Sequence, residues 1–121
     1  TSSEYSDASI PPFKDGSSIT SSIATWASPT GTFSNQLTWA HWGVHSNDTS
    51  AGSSMYNAND TYAAVASSTS GTAVMHHTGV ADGSTSGTGE AKVVYRMEVS
   101  TYQEAATDYT NTLTYVATPI F

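Results

Sequence analysis

The chain has 121 residues, enough for one domain and too few for a second hydrophobic core. Ser and Thr supply 39 of them, charged residues only 11%, and Leu appears just at Leu37 and Leu113, a balance that disfavours long helices. Ten acids against Lys14, Lys92 and Arg96 give a formal net charge of −7, which repels phosphate backbones and anionic headgroups and argues against nucleic acid as a partner.

Ile, Val, Leu and Phe together number only 17, low enough to raise the question of disorder. Thirteen aromatic residues and long stretches of strict alternation answer it, because a solvated coil has no use for either. The absence of cysteine removes disulfide frameworks, thiolate nucleophiles and Cys-based metal centres from consideration. Few basic residues, abundant small polar residues and a first residue other than Met suggest an exported chain freed of its signal peptide, placed outside the cell or on its surface. No apolar run approaches the roughly 18 residues needed to cross a bilayer, so no membrane span is expected in the mature chain.

Residues 1–16 hold Ile10-Pro11-Pro12-Phe13 and the turn signal Lys14-Asp15-Gly16. Prolines cannot donate to a ladder, so this stretch reads as an extended arm ahead of a domain over residues 17–121. Residues 18–26, with Ile19, Ile23 and Trp26, suit a strand by their Ser/Thr density and β-branching. Ser28-Pro29-Thr30-Gly31 is a turn. Over residues 36–45, Leu37, Trp39 and His41 share one side while Ala40, Trp42 and Val44 share the other, as expected of a strand covered on both faces.

Residues 46–60, rich in Asn, Asp, Ser and Gly, make the longest loop. Asn47-Asp48-Thr49 and Asn59-Asp60-Thr61 fit the acceptor pattern for covalent glycans at Asn47 and Asn59. Strands are expected at 62–66 and 71–80, then a turn or flexible hairpin connection through Asp82-Gly83-Ser84 to Gly89. In residues 91–101, Val93, Tyr95, Met97 and Val99 alternate with Lys92, Arg96, Glu98 and Ser100, with Val94 the single exception, which predicts a half-buried strand. In residues 109–121, Tyr109, Leu113, Tyr115 and Phe121 alternate with Thr110, Thr112, Thr114 and Thr118. Six strand candidates separated by turn chemistry predict an all-β fold, a single antiparallel β-sandwich of immunoglobulin-like or jelly-roll type.

Chemistry is hard to place on this pattern. His41 and His45 share a strand face but lie roughly 13 Å apart at a rise of about 3.3 Å per residue, and the adjacent His76 and His77 point to opposite faces. No metal site is therefore expected. Asp48, Asn57, Asn59 and Asp60 lack the dense acidic pattern of a dedicated calcium loop. No Ser sits in Gly-x-Ser-x-Gly, and no pair among ten acids stands out for glycoside hydrolysis, so the chain reads as a non-enzyme without a cofactor. Trp26, Trp39 and Trp42 would serve either as a sugar-stacking platform or as core volume, and scarce Leu and Ile favour core.

Sheet edges carry more information. Soluble monomers defend them with Lys, Pro or inward charges, yet residues 109–121 carry no charge at all. An arm at residues 1–16 would be free to complete a neighbour's sheet, giving a homopolymer with subunit contacts at Tyr5, Ile10, Phe13, Leu113 and Tyr115. The run Asp108-Tyr109-Thr110-Asn111-Thr112-Leu113-Thr114-Tyr115-Val116-Ala117-Thr118-Pro119-Ile120-Phe121 resembles the closing strand of secreted prokaryotic surface and fibre β-sandwich proteins, TasA-like in the broad sense. The resemblance implies a structural, fibre-forming role and transfers no individual functional residue. The expectation is thus a subunit of an extracellular filament or surface assembly, with a secreted carbohydrate-binding module using exposed aromatic rings as the alternative.

Overall fold

A computed structural model describes residues 10–13, 23–48, 56, 58–65, 71–81, 83, 84 and 89–121. In chain order they form β1 (Ala24–Thr25), a 3-10 turn (Gln36–Thr38), β2 (Ala40–Ser46), β3 (Thr61–Tyr62) and β4 (Val93–Val99). The chain is β-rich: the 3-10 turn is the sole helix among the described residues, and two small antiparallel sheets, β1–β3 and β2–β4, do not close into a barrel.

The expected strand at 36–45 begins four residues late. Asn35 caps a 3-10 turn, its side chain accepting the Leu37 N–H, and the Thr38 hydroxyl donates back to the Asn35 carbonyl. Side-chain hydrogen bonds of this local kind compete with a ladder and delay it. From Ala40 onward the two-face expectation holds, since Ala40, His41, Gly43, Val44 and Ser46 are all buried.

β2 lies inside its sheet. On one side it pairs with β4 in a register that sets His41 opposite Glu98, Trp42 opposite Met97 and Val44 opposite Tyr95. On the other, Trp42 exchanges bonds with the Pro11 carbonyl and the Phe13 N–H, and Val44 exchanges both of its backbone bonds with Ala63. Ala63 directly follows β3, so one short segment links the two sheets. Gly43 allows that approach: a Cβ there would stand 3.2 Å from the Ala63 carbonyl and 3.3 Å from the Phe13 Cβ.

Two clusters form the core. One gathers Val44, Tyr56 and Ala63 with Ile23, Val65, Val74 and Val93 at its margin; the other gathers Phe13, Trp26 and Tyr62. In the second, the Phe13 ring stacks on Trp26 at 5.0 Å, and His41 and Tyr62 meet Trp26 edge-on at 4.8 and 4.9 Å. Rings thus supply the volume that scarce Leu and Ile do not.

Two expected strands are not formed. Residues 71–80 give their carbonyls to side chains, Val74 to the Ser46 hydroxyl and Ala73 to the Tyr56 hydroxyl, and build no ladder. Residues 109–121 run without regular structure and are exposed throughout. Among the described residues no helix is long and apolar enough to cross a membrane.

Candidate functional site

The alternation expected in β4 is present from Tyr95 to Val99, where the covered half is the charged one; Val93 packs at the margin of the first core cluster and Val94 is exposed. Tyr95, Met97 and Val99 are exposed, Met97 by 63%, while Arg96 and Glu98 turn toward the aromatic cluster. The cause is the chemistry of that cluster. The Arg96 guanidinium lies 4.4 Å from the Trp26 ring centre and 5.8 Å from that of Tyr62, where its charge meets two π faces. The same guanidinium pairs with Asp60 at 3.0 Å and Glu98 at 3.5 Å. Glu98 in turn accepts the Trp26 indole N–H at 2.6 Å. Hydrogen bonds from the Ser28 hydroxyl and then the Trp26 indole, with the charges of Arg96 and His41 adding, hold the Glu98 carboxyl below the usual carboxylate range.

Hydrogen-bond parity then decides which backbone groups of β4 are left over. Ser100 donates to the Trp39 carbonyl and Asn47 to the Lys92 carbonyl, so the even-numbered residues from 92 to 100 direct their N–H and C=O groups at β2. Those of Tyr95, Met97 and Val99 point the other way. Among the described residues no strand pairs with β4 on that side. The outer margin of the sheet therefore presents an open row of backbone groups beside a strip of exposed apolar side chains.

The tail follows directly. Beyond the turn at residues 101–103, the Tyr109 hydroxyl accepts from Gln103 and donates to the Glu104 carbonyl, which fixes where the tail departs. Leu113, Tyr115, Val116, Ile120 and Phe121 are then exposed, Val116 by 88%. The Tyr115 hydroxyl touches that of Tyr95, a meeting of side-chain tips without a ladder between the tail and β4.

The residues expected at subunit contacts divide into three groups. Tyr5 lies outside the described residues. Ile10 is half-buried and Phe13, 2% exposed, belongs to this chain's own core, so the arm is tied down from residue 10 to residue 13. Leu113 and Tyr115 are exposed on the tail. Of the two asparagines expected as glycan acceptors, Asn59 is exposed in the turn before β3, whereas Asn47, also exposed, accepts the Lys92 N–H at 2.6 Å. Hydropathy alone does not find the exposure of Tyr95, Met97 and Val99, because an alternating strand of this kind normally buries its apolar half; only the single Arg opposite the aromatic residues hints otherwise.

The histidines are engaged in backbone bonding. His41 Nε2 donates to the Ala27 carbonyl at 2.7 Å, His45 Nδ1 to Thr61 at 2.8 Å, and the His76 N–H donates to the Asp48 carboxylate. Among the described residues no three His, Asp or Glu side chains converge on a point where a metal would sit. Trp26 and Trp39 are buried and Trp42 half-buried, so the tryptophans do not form a flat exposed platform.

The chain matches no family model, no curated protein and no solved structure.

Proposed function

We propose that this chain is a non-enzymatic structural subunit of an extracellular filament or surface assembly, built on a β-sandwich and joined to copies of itself by strand addition. The observation that carries this reading is the margin of β4. Tyr95, Met97 and Val99 offer both backbone groups and apolar side chains to solvent, with neither Lys nor Pro in the strand to deter pairing. In this chain Arg96 and Glu98 occupy the inner face, and the outer strip is left for something else to cover.

Electron microscopy and sedimentation of the purified chain over a range of concentrations test this. Fibres or concentration-dependent growth are expected. Monodisperse single chains at every concentration would end the reading.

A further inference from the structure

We infer that the donor strand is the C-terminal tail: residues 109–121 of one copy add to the open margin of β4 in the next, bonding to the backbone groups of Tyr95, Met97 and Val99. This pairing presupposes the proposed assembly and names its donor and its acceptor.

Four observations select the tail over the N-terminal arm. First, the described part of the arm, residues 10–13, is already committed: Pro11 and Phe13 bond to Trp42 on the far edge of β2, and the Phe13 ring is buried against Trp26. Second, the tail is a strand by pattern and unpaired in place, with Leu113 and Tyr115 on one face and Thr112 and Thr114 on the other. At a rise of about 3.3 Å per residue it is long enough to run the whole length of seven-residue β4. Third, its own β4 is not its partner. No ladder joins them, and the hydrogen bond between the Tyr115 and Tyr95 hydroxyls is side chain to side chain. Fourth, the seam is electrically neutral on both sides. Residues 109–121 carry no charge, and the charges of β4 face the aromatic cluster, so copies with a net charge of −7 approach along uncharged strips.

Tyr95, Met97 and Val99 on the acceptor side and Leu113, Tyr115, Val116 and Phe121 on the donor side are each exposed by 39% or more, so both halves of the contact have apolar surface left to cover. Donor and acceptor are different surfaces of one chain, so each added copy exposes a fresh margin at one end and a fresh tail at the other. Such a contact grows without closing.

The test uses two variants of the full chain, each lacking one half of the contact. Deletion of residues 109–121 leaves an acceptor without a donor. Met97→Pro removes an N–H that points away from β2, costing no internal ladder bond and leaving a donor without an acceptor. Near-ultraviolet circular dichroism checks that both are folded. Each alone is expected to stay monomeric where the wild type forms fibres, and an equimolar mixture is expected to give a 1:1 dimer by light scattering that grows no further. If the truncated chain fails to fold, the full-length double substitution Leu113→Lys with Tyr115→Lys takes its place, with the same expectation. Fibres from the truncated or double-substituted chain would overturn the tail as donor while leaving assembly intact. A wild type that never assembles would instead overturn the assembly reading itself.

Discussion

The Trp26 indole donates to the Glu98 carboxylate at 2.6 Å across 72 residues of sequence, and this bond decides which face of β4 is the inside. With the carboxylate anchored on β1's flank and Arg96 stacked over the same ring, Tyr95, Met97 and Val99 are left facing outward, while Val93 still packs at the core margin. Substituting Glu98→Ala is expected to destabilise the folded chain by about 1–2 kcal/mol in urea titrations, the cost of a lost charge-assisted bond at a partly solvated site.

That bond also sets the acid limit. The Glu98 carboxyl is held below its ordinary range when folded, so the stability it contributes is complete above its unfolded pKa of about 4.3 and is lost as the pH falls through the lowered folded value. Unfolding free energy measured from pH 6 to pH 2 should decline along this limb, and Glu98→Gln should flatten it.

Phe13 tests how far the arm belongs to the body. Its ring is 2% exposed and stacked on Trp26, so Phe13→Ala is expected to cost about 3–5 kcal/mol in the isolated monomer at high dilution. An arm that packs only against a neighbour would give no change under those conditions.

Gly43 tests the linkage of the two sheets. A Cβ at this position would press on the Ala63 carbonyl and on Phe13 at once, and both are backbone-anchored. Gly43→Ala should therefore cost about 1–3 kcal/mol, although Ala is the better strand residue elsewhere. Thermal unfolding of the purified variant reads this directly.

Burial pushes the Tyr56 hydroxyl up to about 12. The unfolded chain ionises this group near pH 10, so its contribution to stability is complete below that value and falls between about pH 10 and pH 12. Urea titrations across this window should show the decline, and Tyr56→Phe should remove its share of it.

Much of the fold is legible where periodicity and turn chemistry agree. The alternation of β4 from Tyr95 to Val99 and the two covered faces of β2 follow from residue order alone, while the turn expected over Ser28-Pro29-Thr30-Gly31 is not formed, Gly31 alone taking a φ of +66°. What residue order does not supply is the direction of β4. Hydropathy places Tyr95, Met97 and Val99 inside; the π faces of Trp26 and Tyr62, brought from far away in the chain, favour the Arg96 guanidinium instead. The tail shows the same limit from the other side. Its two-residue period is plain, but a period names no partner, and within one chain residues 109–121 form no ladder.

Hydrogen exchange at the amides of Tyr95, Met97 and Val99 addresses the open margin most directly. In dilute monomer these three should exchange rapidly while Arg96 and Glu98, bonded to β2, are protected; in assembled material all five should be slow. Slow exchange of Tyr95, Met97 and Val99 at every concentration would mean that a single chain already covers its own margin, which contradicts an edge left open for a second copy.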